Sequence, residues 1–215
     1  MTAQRTIHQA EAIAWLKQRG TLTGASVVTS LPDVSELPRL GFDGWCRWFE
    51  DAATAVVRAI PPEGVAIFFQ SDIRHAGLWV DKGELVARGA ERAGGRLLFH
   101  RIVCRHPAGT RGAGRATFSH LLGFARAPLR SSGHAYADVI PDSGFVPGKK
   151  AMGVNACLEA CQFVLRETPT RLIVDPFCGY GTVLAVANAI GMDAEGVDLS
   201  ARMCRRARVL ELAGL

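Results

Sequence analysis

The chain lacks any apolar run approaching the ~18 residues that a membrane-spanning helix requires. It has six cysteines but no Cys-x-x-Cys pair and no accompanying cluster of histidines, so no zinc-ligand set can be read from it. Cys157 and Cys161, four apart on an expected helix, share one face. Two ligands alone do not hold a metal, and buried free thiols in a reducing cytoplasm are the expectation. No Ser-His-Asp arrangement, phosphate-cradling P-loop, internal repeat or low-complexity tract is present. Where a secretory leader would be apolar, the N-terminal stretch carries His8, Gln9 and Glu11. Acids are scarce in one region: from Arg88 to Lys150, eleven basic residues face only Glu91, Asp138 and Asp142. What is present is ordinary globular composition: 215 residues, 48% hydrophobic and 21% charged, enough for one domain with a real core. The net charge of +5 and the basic stretch suit a polyanion such as RNA or DNA. A generally arginine-rich surface is the competing explanation, since only two of those eleven are Lys.

Hydrophobic periodicity predicts alternating strands and helices. Strands are expected over residues 5–9, 25–29, 65–70, 96–104, 116–126, 171–175 and 193–198. Helices are expected over 10–19, 43–60, 82–93, 151–167 and 201–213, with a further one after Thr182. Trp45, Trp48, Phe49, Ala52, Ala55 and Val56 recur at helical spacing and are assigned to the core. Residues 65–70 are apolar nearly throughout, as a strand covered on both faces should be. The 96–104 and 116–126 strands read as an antiparallel pair with a Gly-rich tip. Residues 71–80 and 127–150 read as loops, the second long enough to suggest a functional or mobile segment.

One stretch carries chemistry: Val174-Asp175-Pro176-Phe177-Cys178-Gly179-Tyr180-Gly181-Thr182-Val183-Leu184, followed by Ala194-Glu195-Gly196-Val197-Asp198-Leu199-Ser200. A strand ends at an acid, a turn with two glycines follows, then a helix, then a second strand ending in Asp198. Glycines 179 and 181 let the backbone approach a ligand where a Cβ would collide. Asp198, one βα unit later, is placed to accept hydrogen bonds from ribose hydroxyls. The dinucleotide fingerprint does not fit, because its third glycine would fall at Leu184.

Asp175-Pro176-Phe177-x-Gly179-x-Gly181-Thr182 resembles the S-adenosylmethionine-binding motif of class I methyltransferases, above all the amino-methylating nucleic-acid enzymes. The resemblance implies a Rossmann-like α/β fold, a seven-stranded mostly parallel sheet with helices on both faces. It also implies circular permutation, because the cofactor-binding βα unit comes last. Opened elsewhere, the strands at 171 and 193 become first and second, that at 5–9 third, and those at 25, 65, 96 and 116 fourth to seventh. The expected organisation is a single domain over 1–215, with a catalytic half to 126, a loop to 150 and a cofactor half to 215.

By the same resemblance, S-adenosylmethionine would be held by Gln9, Ala10, Asp175, Pro176, Phe177, Cys178, Gly179, Gly181, Thr182, Asp198 and Leu199. Ser30-Leu31-Pro32-Asp33 looks like the family's Ser-Pro-Pro-Tyr, the catalytic segment that polarises an exocyclic amine and stacks on a flipped base. Here one proline and the stacking aromatic are missing. Asp33 is either a proton acceptor for the amine or a turn residue after Pro32. Gln70, Asp72, Arg74 and His75 lie near the expected active face. Arg111, Arg115, Lys149 and Lys150 are expected to contact phosphates. The altered loop and the want of a separate base-reading domain favour RNA over DNA as acceptor. A small-molecule or protein methyltransferase, a homodimer, and a cofactor-binding subunit serving a catalytic partner remain open.

Overall fold

The computed structural model describes residues 3–112, 114–129, 132–148 and 151–212. Its main sheet contains β1 (Arg5–Gln9), β2 (Ala25–Thr29), β3 (Val65–Gln70), β6 (Arg96–Cys104), β7 (Phe118–Ala125), β8 (Val139–Ile140), β9 (Leu172–Asp175) and β10 (Asp193–Asp198). The spatial order is β1-β10-β9-β2-β3-β7-β6-β8, and β7 alone runs against the rest. In the circular numbering above, the first seven of these read third, second, first, fourth, fifth, seventh, sixth. The expected α/β class with a mostly parallel sheet is what the chain forms. Two details differ. The sheet gains an eighth strand, the two-residue β8, inside the segment expected to be all loop. Residues 71–80, also expected to be loop, form a hairpin, β4 (Ile73–His75) and β5 (Leu78–Val80). Both are two- or three-residue pairings, too short for a periodicity to reveal.

Strands β2 and β3 are buried at every position, consistent with helices on both faces. One face carries α4 (Val154–Glu167), α5 (Thr182–Ala189) and α6 (Ala201–Val209), which enclose Val28, Ile67, Leu121 and Ile173. The other carries α1 (Ala12–Arg19), α2 (Gly41–Ala59) and α3 (Lys82–Arg92) over Val27, Phe68, Leu122 and Val174. Successive strand residues thus serve opposite cores, as the pleat requires. On α2, Trp45, Phe49, Ala52 and Val56 are buried as their spacing predicts, whereas Trp48 is only half-buried. Helix α4 starts three residues later than expected. A Cβ at Gly153, just before it, would run into the backbone of Ser143. Helix α6 ends at Val209, where Leu210 leaves helical geometry. No helix among the described residues is long and apolar enough to cross a membrane.

These faces set the site. From β9 the chain crosses to β10 through α5 on one face; from β2 it crosses to β3 through α2 on the other. Between the neighbouring ends of β9 and β2 the loops therefore diverge and leave a crevice, the position at which open α/β sheets bind ligands.

Candidate functional site

A cleft of about 980 Å³ occupies that crevice. Its floor is the turn after β9. Gly181 begins α5 with φ +81°, and a Cβ there would lie 2.8 Å from the Cα of Ala207 on α6. Glycine is thus demanded twice, by conformation and by packing. Gly179 is also left-handed, with φ +48°, but a Cβ there would meet no protein atom nearer than the Phe177 carbonyl at 4.0 Å. Two carboxylates fix the turn. Asp175 Oδ1 accepts from the Phe177 amide at 3.1 Å and from the Thr29 hydroxyl at 2.6 Å, which ties β9 to β2. Asp198 Oδ2 accepts from the Gly179 amide at 3.0 Å, and its Oδ1 from the Ser200 amide at 2.7 Å. Burial pushes the Asp175 carboxyl up to about 7; its two hydrogen bonds oppose the shift and Asp198 adds to it. The Cys178 thiol is driven far upward by burial and then by both acids, so it packs as an inert apolar group.

Of the residues expected to hold a cofactor, Asp175, Pro176, Phe177, Cys178, Gly179, Thr182, Asp198 and Leu199 line the cleft together. Leu199 is 71% exposed, a large apolar side chain open to the cleft. The Thr182 hydroxyl is buried and has no hydrogen-bond partner among the described residues, an omission that protein interiors seldom tolerate. Gln9, Ala10 and Gly181 are not among the lining residues. The Ala10 amide closes the β1 edge onto the Asp198 carbonyl, and the next two residues, Glu11 and Ala12, reach the cleft instead. Glu11 caps α1, accepting from the amides of Ile13 and Ala14. Sequence reasoning also missed Trp48, Tyr180, Met152 and Met203 in the wall. Trp48 meets Phe177 edge-to-face at 5.9 Å, and nothing in a helical period distinguishes a cleft-facing turn from a core-facing one.

On the opposite wall stand Ser30, Leu31 and Pro32, continued by Glu36, Leu37, Pro38, Arg39 and Leu40. Asp33 does not line the cleft. Its side chain caps the short 3-10 turn Val34–Glu36, in a reciprocal box with Glu36. The same carboxylate receives Lys82 Nζ at 3.2 Å. Lys82 is buried, and burial lowers its pKa although Asp33 and Asp72 oppose that. Desolvation pushes the Asp33 carboxyl upward, but Lys82 and the Ser35 amide outweigh it and hold the group below its ordinary range. Behind the loop, the Trp45 indole donates to the Pro32 carbonyl at 3.1 Å. Gln70 and Asp72 are buried at the end of β3, outside the cleft lining, while Arg74 and His75 are exposed on the hairpin. Asp72, Asp81 and His120 bring ligand-type atoms within 4.8 Å of one another, yet both Asp72 oxygens are already engaged by protein donors. Arg111 and Arg115 are exposed between β6 and β7. Lys149 and Lys150 lie outside the described residues.

In sequence comparison no family model and no curated protein matches the chain. The fold does find counterparts among solved structures. TTHA0409, a candidate DNA modification methylase of Thermus thermophilus, superposes with a TM-score of 0.74 at 17% identity, over 98% of this chain and 97% of that one. The same protein complexed with S-adenosyl-L-methionine superposes at 0.74, with 18% identity, over 94% and 91% of the two chains. The PvuII DNA methyltransferase, specific for cytosine N4, gives 0.70 at 13% identity, over 99% of this chain and 89% of that one. At these identities the likeness establishes a shared fold, and the chain has the architecture in which those methyltransferases are built.

Proposed function

We propose that the chain is an S-adenosylmethionine-dependent methyltransferase acting on an amino group of a base in nucleic acid, with DNA the favoured acceptor. The observation that carries this is the turn at the sheet's switch point. There Asp198 pins the Gly179 amide, Leu199 is exposed, and the buried Thr182 hydroxyl lacks a partner among the described residues. A nucleoside with a charged amino-acid tail matches those groups. Asp198 retains lone pairs for ribose hydroxyls, Leu199 offers an apolar face to adenine, and the Thr182 hydroxyl and loop amides can bond the tail. Asp175 organises the loop through Phe177 and adds negative character beside a cationic tail. S-adenosylmethionine held there would supply an electrophilic methyl group.

On the acceptor wall the protein's task is to orient an amine lone pair toward that methyl by accepting hydrogen bonds from the amine; the methyl would pass from sulfur to nitrogen, S-adenosylhomocysteine would be left, and the proton of the methylated amine would go to water. The Pro32 carbonyl is oriented by the bond it accepts from Trp45, and in this reading Ser30 and the Leu31 carbonyl are the principal acceptors. The Asp33 carboxylate is committed to Lys82 and the turn, so in this reading it holds the loop rather than taking the proton. The sequence alone favours RNA. The structural counterparts named above are DNA enzymes, and that moves the preference to DNA. The chain order is read as a circular permutation, a rearrangement compatible with surface termini.

Calorimetry with S-adenosylhomocysteine tests the cofactor assignment. The wild type should bind, and Asp198→Ala should weaken binding by roughly tenfold or more, the loss of a charge-assisted hydrogen bond. Absence of binding to the wild type defeats the assignment. Transfer of a labelled methyl group to duplex DNA and to total RNA then decides between acceptors. Binding without any transfer would favour a supporting subunit.

A further inference from the structure

Past β3 the chain turns through Ser71 and Asp72 into the β4–β5 hairpin, most of which contributes nothing to either core. Residues 74–79 are exposed, Leu78 at 72% and Trp79 at 46%. Adjacent large apolar side chains left in water mark an interaction surface more often than an accident of folding. The base of the hairpin is nonetheless firmly anchored. Buried Asp72 accepts from the Trp79 indole at 3.0 Å and from the Lys82 amide at 2.9 Å, and faces His120 Nε2 at 3.0 Å. His120 Nδ1 in turn lies 2.8 Å from His100 Nε2. The hairpin also touches the cleft rim: the His75 ring stacks on Phe42 at 3.8 Å, two residues beyond the cleft-lining Leu40.

Charge identifies the partner. No acid occurs from Ile73 to Val80, and the Arg74 guanidinium lies over Trp79 at 5.4 Å. The neighbouring β6–β7 connection, joined to Ser71 through Ser119 at 2.5 Å, presents exposed Arg105, His106, Arg111 and Arg115, again with no acid from Arg105 to Phe118. Cations interleaved with exposed aromatic and aliphatic groups fit a strand of phosphates and bases, the first meeting the backbone and the second stacking. A purely apolar tip would have suited a protein partner.

We infer that the β4–β5 hairpin is a nucleic-acid contact flanking the cleft, with Leu78 and Trp79 meeting bases and Arg74 a phosphate of the strand that enters it. This rests on the function proposed above. It supplies a base-side contact beside the cleft.

Fluorescence anisotropy with labelled DNA and RNA duplexes tests it, with S-adenosylhomocysteine calorimetry as an independent readout. Leu78→Ser and Arg74→Ala spare Trp79 and so leave the Asp72 anchor intact. Each should weaken duplex binding by roughly fivefold or more. Arg74→Ala should also lower the slope of log affinity against log salt by about 1. Affinity for S-adenosylhomocysteine should not change. Variants that bind both duplexes as the wild type does would overturn the inference and leave the methyltransferase reading standing. A parallel loss of S-adenosylhomocysteine affinity would also overturn it, since the hairpin would then be supporting the fold. Wild-type protein that binds duplex but not S-adenosylhomocysteine would sink the cofactor assignment, with the hairpin still judged by its own variants.

Discussion

The two walls of the cleft are built on different principles. On one side stands the turn after β9, whose main-chain amides are tied back by Asp175 and Asp198 and whose shape only glycine allows at Gly181. On the opposite side the loop Ser30–Asp33 is held from behind by long side chains, Trp45 on Pro32 and Lys82 on Asp33. A wall of backbone prescribes its sequence, because φ and Cβ clearance are set locally. A wall supported by side chains from distant elements leaves its own sequence free to drift, provided the supports move with it. That difference fits a turn, Asp175–Thr182, that keeps the pattern it resembles, beside a loop, Ser30–Asp33, that departs from the pattern it resembles.

Gly181→Ala should break the first wall outright. The substitution combines a left-handed φ with a 2.8 Å approach to Ala207, and should cost about 3 kcal/mol, lowering Tm by roughly 10 °C. Gly179→Ala provides the contrast, because its Cβ would point into open space. It should cost only about 1 kcal/mol of stability, with the larger penalty appearing in S-adenosylhomocysteine affinity. If the two glycines gave equal thermal shifts, a backbone wall dictated by local geometry would be the wrong description.

The Asp175 carboxyl gives the same wall a pH signature. Its folded pKa of about 7 lies above the ordinary 3.8. Below about pH 4 it is protonated in both states; as pH rises toward 7 the unfolded chain sheds a proton that the folded chain keeps. Its contribution is therefore fully present in acid and lost as pH rises through about 7, on the order of 2 kcal/mol or more. Asp175→Asn cannot ionise and should remove that loss. Urea denaturation at about pH 5 and pH 8 should show the variant gaining on the wild type at the higher pH; parallel profiles would refute the assignment.

Lys82→Met probes the other wall. It frees the Asp33 carboxylate from its buried partner while keeping apolar volume against the Phe49 ring. Since Asp33 is partly exposed and can recover water, the stability loss should stay near 1 kcal/mol. S-adenosylhomocysteine affinity should hold, while methyl transfer to nucleic acid falls as the loop loosens. Loss of both together would mean that the walls are not independently supported.

The same contrast explains which features were legible in the sequence. The unbroken burial of β3, the helical spacing on α2 and the Asp-Pro-Phe-x-Gly-x-Gly-Thr turn are local patterns, and each appears where expected. Gln9 and Ala10, expected beside the ligand, lie just outside the cleft lining, which Glu11 and Ala12 reach instead. The outcome depends on where Glu11 caps α1, and element boundaries are the least certain part of any pattern. Asp33 was readable equally as acid or cap. Folded, its side chain caps the Val34–Glu36 turn and also meets Lys82, forty-nine residues away, a partner no local pattern shows. The β4–β5 hairpin was hidden for the same reason: its anchor joins Asp72 to His120 across the sheet, and three-residue strands carry no period.

The smallest effect is the most discriminating, because it should change sign between two measurements. Thr182→Val preserves shape and removes a hydroxyl that is buried without a partner among the described residues. Deleting an unsatisfied polar group should leave the fold unchanged or stabilise it by up to about 1 kcal/mol. If a ligand's polar tail is what that hydroxyl awaits, S-adenosylhomocysteine should bind the variant several-fold more weakly despite the sturdier fold. Thermal unfolding without ligand and calorimetry with it measure the two signs separately. A variant that is both more stable and equally avid would mean that Thr182 contributes only packing beneath the turn, and that the tail is held by backbone amides and Asp175 alone.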